Sequence, residues 1–412
     1  MPSELQALID DLAERVDAPA ILEDRDQRTV VYSAHSDPID EPRRQSILRH
    51  RADPATLGWF RQFGIFRSTE PVRIPSHPQQ HVLGRLCMPV RHRGRLLGFV
   101  WFLDDRDQIG AEQINSARPM VARLAVVMYD EEMTRGLADR LMSRLLSPWE
   151  DLRQAAARQI VDDGLLPAHA PVVAVVARPL GISADDAREY VAQALWDLAH
   201  EVGPGAGDGL RLACGDHAVL LARTQALDDD EPGQALAVRV RQALLRRLAE
   251  RAPHADGAEP GQGIRVVVGI GEARPRLTQT VVSHRQARLS AQVAARIPSV
   301  GDICRWCDLG AFRVLAQLPS EEEAEAALDP RVVRLFQAGG PDVVRTLETY
   351  LDLACDAKAT AERLYLHRAT LYYRLEKVKR LTGMDLHDGG DRLAIHLSLK
   401  LSRLTGQHPD PC

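Results

Sequence analysis

A run of apolar residues at helical spacing near the end of the chain constrains the fold most. The run repeats at intervals of three and four residues: Leu371, Leu375, Val378 and Leu381. Gly383 follows, where helices commonly end in a left-handed residue, and Asp356 precedes the segment as a candidate N-cap. Ala361 is small enough to let two helices cross closely. The segment therefore predicts a pair of crossed helices of the helix-turn-helix type.

The polar residues of this segment predict contacts with a polyanion. With the leucines turned inward, the remaining faces carry basic, hydroxyl and aromatic side chains. A second helix of this kind fits the major groove of B-DNA, and His367 and Arg368 stand at its start, where base edges are contacted. Hydroxyl groups and lysines suit phosphates. The residues predicted to contact DNA are Lys358, Thr360, His367, Arg368, Thr370, Tyr372, Tyr373 and Lys377.

Charge is distributed unevenly along the chain. All four lysines lie in the last 55 residues, and residues 357–400 carry nine Lys/Arg against five Asp/Glu, whereas the whole chain has a net charge of −5. Such an asymmetry is typical of a protein that meets a polyanion at one end. Two alternatives stay open at this point. The basic helix could be an ordinary solvated face, or the C-terminal helices could bind another protein.

The first 110 residues alternate short strands with turns behind an amphipathic helix. APAILEDRD (18–26) and RTVVYSA (28–34) predict two strands, and residues 85–105 predict a hairpin that turns at 92–94. A helix from Ala111 to about Ser147 follows. Seven of the 19 aromatic residues of the chain lie between Trp59 and Phe102. They could line a small-molecule pocket or form an ordinary core, and both interpretations stay open.

A second unit begins at about Pro167. The pattern predicts a strand at 172–176, a helix at 184–202, two strands that turn at Gly215-Asp216, a helix at 233–252, a strand RVVVGIG and a helix at 277–296. This is a ferredoxin-like order of elements. The Gly- and Pro-rich runs at 203–209 and 253–263 predict loops. Ser320 is a candidate cap for the acidic helix after it.

Cysteine and histidine usage gives no support for a metal or redox site. Six cysteines in a chain of this length do not form a disulfide framework, and Cys304 and Cys307 form a lone CRWC without matching ligands nearby. The segment GIGEAR (269–274) lacks the third glycine and the context of a dinucleotide-binding loop. No catalytic residue, metal or cofactor is predicted.

The apolar runs are too short to span a bilayer, because the longest is PVVAVVA at 171–177. The N-terminus lacks the basic start and apolar centre of a signal peptide. The sequence therefore predicts a cytoplasmic protein without a membrane partner.

Residues 346–401 resemble the C-terminal helix-turn-helix domain of PucR/CdaR-type bacterial transcriptional regulators. The matching pieces are TLETYL at 346–351, TA at 360–361, HR-x-TL-x-YRL at 367–375, LTG at 381–383 and DRLAIHLSLKL at 391–401. Two departures stand out. Ala369 occupies a position that is usually Asn in the family, and Ala354-Cys355 replaces the usual Gly pair.

Two further resemblances concern the rest of the chain. Residues 266–315 resemble the end of the GGDEF-like domain of these regulators, and the N-terminal pattern resembles a GAF-type sensor domain. An active cyclase would need a Gly-Gly-Asp/Glu-Glu-Phe motif for nucleotide and Mg²⁺, whereas this chain has CGDHA at 214–218. The resemblance implies a domain without catalysis. The alternative is a nucleotide-signalling protein, either a degenerate GGDEF-type receptor or an enzyme.

These features predict a multidomain α+β protein that is not an enzyme. The predicted domains are a GAF-like α/β sensor over 1–130, a connecting helix over 131–164, a ferredoxin-like degenerate GGDEF-type domain over 165–318 and an all-α helix-turn-helix domain over 340–406. The predicted function is transcriptional regulation through double-stranded DNA in response to a ligand or signal, with a small-molecule effector as a candidate partner. Two copies of the helix-turn-helix domain are expected to bind one palindromic site, so a homodimer or higher homo-oligomer is predicted. Its candidate surfaces are the helix after Ala111 and the residues Leu393, Leu397, Leu401 and Leu404.

Overall fold

A computed structural model describes residues 4–34, 39–49, 54–201, 210–251, 264–318 and 321–409. Within them the chain divides into two compact units, one ending at Arg140 and the other beginning at Leu141. Among the described helices, none combines the length and the apolar character needed to cross a membrane.

The first unit is built on a five-stranded antiparallel sheet in the order β2-β1-β5-β4-β3. Its elements are α1 Glu4–Val16, β1 Ala20–Asp24, β2 Thr29–Tyr32, α2 Glu41–Arg49, α3 Pro54–Arg61, β3 Val72–Ile74, β4 Arg85–His92, β5 Arg95–Leu103 and α4 Ala111–Leu145. The predicted strands, the hairpin and the helix after Ala111 are confirmed.

The two faces of this sheet are both covered, because successive side chains of a strand point to opposite sides. Leu22 and Phe102 pack with α1 and α4 on one face. Phe99 and Trp101 pack with Phe60 of α3 on the other face. The four strand residues Leu22, Phe99, Trp101 and Phe102 are all buried. The aromatic residues therefore build the core of this unit.

The second unit opens with a sheet in the order β10-β9-β6-β8-β7. Its elements are α5 Glu150–Asp162, β6 Val172–Leu180, α6 Ala184–Glu201, β7 Arg211–Cys214, β8 His217–Arg223, α7 Glu231–Arg251, β9 Arg265–Ile270, α8 Thr280–Arg296 and β10 Ile303–Arg305. Strand β6 is antiparallel to both β8 and β9, and β10 is parallel to β9. The predicted ferredoxin-like order is confirmed. The predicted loops at 203–209 and 253–263 lie outside the described residues.

Helix α8 lies against β9 at two glycines. A Cβ atom on Gly269 would stand 1.9 Å from the carbonyl oxygen of Ala287, and one on Gly271 would stand 2.2 Å from that of Ser283. The Ser283 hydroxyl in turn accepts a hydrogen bond from the Ala174 N–H of β6 at 2.9 Å. The glycines of the GIG segment therefore serve the packing of a helix on a strand.

The two thiols of the CRWC segment lie in different surroundings. Cys304 is buried in β10, and burial raises the pKa of its thiol to about 11. Cys307 is exposed in the turn after that strand. Within the described part of the chain, no group of three or more His, Cys, Asp or Glu side chains is arranged to hold a metal ion.

The second unit continues in an all-helical part. Its helices are α9 Phe312–Leu315, α10 Glu321–Ala326, α11 Pro330–Gly339, α12 Pro341–Asp352, α13 Ala357–Arg363, α14 Arg368–Thr382 and α15 Gly389–Thr405. Their common core contains Val332, Leu335, Val344, Leu347, Val378, Ile395 and Leu399, all fully buried. The acidic helix predicted after Ser320 is α10, whereas its predicted cap, Ser320, lies outside the described residues.

Candidate functional site

Helices α13 and α14 are the predicted crossed pair. Ala361 is buried on α13, and Leu371 and Val378 are fully buried on the inner face of α14. The carboxylate of Asp356 caps α13 by accepting hydrogen bonds from the N–H groups of Lys358 at 2.8 Å and Ala359 at 3.0 Å. At the other end, Gly383 adopts a φ of 72° and terminates α14. The crossing and both ends of the pair are confirmed.

His367 is the N-cap of α14. Its Nδ1 accepts a hydrogen bond from the Ala369 N–H at 3.3 Å, so Nε2 is the ring nitrogen that can donate in the neutral imidazole. The sequence had suggested only a contact with DNA for this residue. The cap orients the ring and leaves one donor at the start of the helix.

Six of the eight predicted contact residues are exposed: Lys358, His367, Arg368, Thr370, Tyr372 and Tyr373. Lys358 and Arg368 both lie close enough to the Asp356 carboxylate to help lower its pKa, after the two backbone N–H groups that donate to it. Along α14, the outward stripe at helical spacing consists of Ala369, Tyr373, Glu376 and Arg380, all exposed. The junction of the two helices thus presents cations, hydroxyl groups and aromatic rings to solvent.

Thr360 does not belong to this surface, and the prediction of a contact through its side chain is wrong. Its side chain is fully buried, and its hydroxyl donates to the carbonyl oxygen of Asp356. The pattern could not distinguish an exposed threonine from one that bonds back to its own helix.

Lys377 has an internal partner. Its Nζ donates to the carbonyl oxygen of Gly339 at 3.0 Å, at the end of α11. Arg374 likewise bonds Asp342 at 3.0 Å, and Lys400 bonds Asp352 at 2.7 Å. Several basic side chains that the sequence assigned to a polyanion interface therefore have hydrogen-bond partners within the helical domain.

Tyr365 was not among the predicted contacts. It occupies the turn between α13 and α14 with a φ of 53°, and 96% of its surface is exposed. A left-handed conformation is unfavourable for a residue with a bulky side chain. The signal in the sequence was an aromatic residue at a turn position that usually holds Gly.

The turn before α13 contains two further left-handed residues. Ala354 has a φ of 53° and Cys355 a φ of 66°. These are the positions at which the Gly pair is missing. The backbone keeps the conformation that glycine would favour, so the departure costs conformational energy without changing the turn.

A buried carboxylate connects α12 to α15. Glu348 is buried and accepts hydrogen bonds from Nε of Arg403 at 2.9 and 3.0 Å and from Nζ of Lys400 at 3.1 Å. Burial alone would raise the pKa of Glu348, but the hydrogen bond from Arg403 and the two cations outweigh it, so the net pKa is lowered. The ion pairs hold the helices that support α14.

Comparisons with known proteins agree with this geometry. Residues 343–401 match the PucR C-terminal helix-turn-helix domain, and residues 147–293 match the GGDEF-like domain. The chain is 20% identical over 420 residues to the proline-responsive transcriptional activator PutR of Bacillus subtilis, a match that covers 97% of both chains. It is 18% identical over 412 residues to the DNA-binding transcriptional activator AdeR of the same organism, covering 97% of this chain and 93% of that one. The purine catabolism regulatory protein of B. subtilis is 42% identical over 62 residues, 15% of this chain and 12% of that protein.

A capped helix pair with an exposed basic start defines a DNA-binding protein of the helix-turn-helix class. More particularly, the chain is a transcriptional regulator whose DNA-binding helices match the PucR C-terminal helix-turn-helix domain and follow a GGDEF-like domain.

Proposed function

We propose that this regulator binds operator DNA as a homodimer through α13 and α14, responds to a small molecule, acts in the cytoplasm and has no enzymatic activity. The observation that carries the proposal is the exposed junction of the two helices, where Lys358 and Arg368 flank the cap of α13 and His367 caps α14. The relative PutR is named as a proline-responsive activator, which supports control by a small molecule.

The residues of the junction have different roles in this proposal. Arg368 reads a guanine edge, because its guanidinium is exposed in the first turn of α14 and no acid of the described residues forms an ion pair with it. Lys358 binds a phosphate, which positions the domain without reading sequence. Tyr373 lies on the outward stripe and can contact a base or a phosphate through its hydroxyl group.

The absence of catalysis is supported by the turn between β7 and β8. Asp216 stands there with its carboxylate 2.7 Å from Arg178 and 3.0 Å from His217. Burial would raise the pKa of Asp216, but the hydrogen bond from His217 and the charge of Arg178 lower it overall. A carboxylate already held by an arginine and a histidine is poorly suited to bind Mg²⁺.

Homodimer formation has support on α15, with one change in the candidate surface. Leu401 is buried and Leu404 is partly buried in a cluster with Leu315 and Leu328, so both are internal. Leu393 and Leu397 remain exposed on α15. These two side chains, together with α4, are the surfaces that we propose for contacts between copies.

Replacing Arg368 by Ala is expected to weaken binding to a selected operator about 10- to 100-fold, since a bidentate Arg–guanine contact discriminates by about 1–3 kcal/mol. Genomic fragments captured by the full-length wild-type chain supply the operator, and titration by fluorescence anisotropy gives the Kd and the number of chains per site. Two chains per palindromic fragment are expected. An unchanged affinity and unchanged preference over a scrambled fragment would show that α14 is not the reading helix.

Lys358→Ala is the matched variant for the phosphate role. It should weaken operator and scrambled DNA alike and reduce the slope of log K against log salt by about one. Lys377→Ala is unsuitable for this comparison, because removal of Lys377 also removes the hydrogen bond to Gly339.

Tyr365→Gly and Ala354→Gly form a second pair of variants. Each relieves a left-handed conformation and is expected to stabilise the helical domain by about 1 kcal/mol. Only Tyr365→Gly should weaken operator binding, because it also removes an exposed ring from the turn between the two helices. Urea denaturation and operator titration of both variants check this. Equal operator affinity in the two variants would exclude a DNA contact by Tyr365.

A further inference from the structure

The first unit contains a buried cluster of charged side chains on the α2–α3 face of its sheet. Glu23 on β1, Asp40 before α2, Arg43 on α2 and Arg85 on β4 are each more than nine-tenths buried. Charged side chains are seldom buried to this extent unless they are paired. The pairing within the cluster is therefore informative.

Both carboxylates of the cluster already have hydrogen-bond partners. Asp40 forms an ion pair with Arg85 and also accepts from the N–H groups of Arg43 at 3.0 Å and Leu83 at 2.8 Å. Glu23 accepts from the indole Nε1 of Trp101 at 2.7 Å. Neither carboxylate is within ion-pair distance of the Arg43 guanidinium.

Arg43 is thus a buried cation without a carboxylate partner among the described residues. Its Nη2 donates to the carbonyl oxygens of Pro19 and Trp101, both at 3.2 Å, and its buried Nε has no acceptor. Burial and the neighbouring charge of Arg85 lower the pKa of Arg43 to about 9. A buried guanidinium in this condition is costly unless an anion reaches it.

Another buried donor without an acceptor lies beside α3. Gln27, in the turn between β1 and β2, is fully buried, and its Nε2 has no acceptor. Its Oε1 accepts from Nε of Arg61, on α3, at 3.4 Å. Nε of Arg43 and Nε2 of Gln27 can only donate, so a partner of either group would supply an acceptor atom.

The charge balance of the cluster also favours an anion. Burial raises the pKa of Glu23 to about 7, against the lowering effects of Trp101, Arg43 and Arg85. Near neutral pH the two arginines are therefore balanced by Asp40 and by a Glu23 that is partly protonated. The ring of Phe60, 4.8 Å below the Arg85 guanidinium and 4.8 Å from Trp101, offers an apolar wall beside these charges.

We propose that this buried arginine site, made of Glu23, Arg43 and Arg85, binds a small organic carboxylate whose oxygens pair with Arg43. The proposal rests on the small-molecule response in the proposed function and names the chemical class of the ligand. The apolar part of the ligand packs against Phe60.

The test compares carboxylates with their neutral amides on the full-length chain. Acetate, benzoate and L-proline are the carboxylate probes, and acetamide, benzamide and L-prolinamide are the matched controls, measured by thermal shift and calorimetry. At least one carboxylate should bind, and its amide should bind at least tenfold more weakly. Arg43→Gln should weaken that carboxylate at least tenfold, whereas Arg44→Ala, an exposed neighbour on the same helix, should leave it unchanged. Failure of all three carboxylates, or equal binding to Arg43→Gln, overturns the proposal.

The pH dependence gives an independent readout if Arg43→Gln does not fold. The charged and titratable groups that face Glu23 are Arg43, Arg85, Cys87 and Asp24. Deprotonated Glu23 repels a bound carboxylate, so affinity for acetate or benzoate should fall as the pH rises through about 7. Glu23→Gln should remove this dependence while keeping the binding. If carboxylate affinity has the same pH profile in the wild type and in Glu23→Gln, the proposed site is contradicted. These measurements contain no DNA. A negative result would therefore count against the carboxylate site and not against operator binding, and a failed operator titration would not count against the carboxylate site.

Discussion

Replacing Glu348 by Gln is expected to lower the stability of the helical domain by about 3 kcal/mol. The substitution keeps the volume and removes the charge, so Arg403 and Lys400 lose Glu348 as a buried counter-ion, and Lys400 keeps its ion pair with Asp352. Removing one partner of a buried ion pair commonly costs about 3–5 kcal/mol, and the lower end applies because the side chains of Lys400 and Arg403 are 19% and 14% exposed. Hydrogen exchange on the full-length chain, read on peptides from α12, α14 and α15, measures the loss where it occurs.

The pH dependence of this difference has a defined sign. The pKa of Glu348 is lower in the folded chain than its ordinary value of 4.5. The stabilisation is therefore fully present above about pH 5 and is lost as the pH falls through the folded pKa. The difference between the wild type and Glu348→Gln should shrink accordingly in acid. Glu376→Gln, the same change on the exposed face of α14, is the control and should alter stability by less than about 0.5 kcal/mol. Equal protection in the two variants would contradict the role of Glu348.

The reading helices could be predicted from the sequence because their signals are local. Leucine spacing, an Asp before the first helix and Gly383 after the second are all contained within thirty residues of one segment, and each has a direct physical reason. The ferredoxin-like order in the middle followed in the same way from the alternation of strands and helices. The roles of individual side chains were harder to predict.

Partners distant in the sequence explain the differences. Lys377 meets Gly339 and Lys400 meets Glu348 only because the helices pack, so their charge could not be separated from that of exposed Lys358 and Arg368. Thr360 differs from exposed Thr370 only by its place on the crossing face. The buried arginine site needs the register that sets Glu23 on β1 opposite Phe99 on β5. No local pattern contains that information.

The glycines of the GIG segment illustrate the same limit, and they lead to the second large effect. Sequence reasoning could only discount them as a dinucleotide-binding loop, whereas the structure gives Gly269 a packing role. Its absent side chain allows the backbone of α8 to lie directly on β9, with the Ala287 carbonyl oxygen 1.9 Å and the Ala291 nitrogen 2.4 Å from where a Cβ would stand. A backbone cannot yield as a flexible side chain does, so a Cβ here must move the helix.

Gly269→Ala is therefore expected to destabilise the GGDEF-like domain by about 3 kcal/mol, at the upper end of the cost of overpacking a core. The expected observation is faster hydrogen exchange in β9, in α8 and in β6, whose Ala174 N–H depends on Ser283 of α8. Gly389→Ala is the matched control, because nothing lies within 4 Å of its added Cβ and the residue begins a helix. Gly389→Ala should leave the free energy of unfolding unchanged or raise it slightly. If Gly269→Ala retains full protection in these three elements, the close approach of α8 to β9 is not a requirement of the fold.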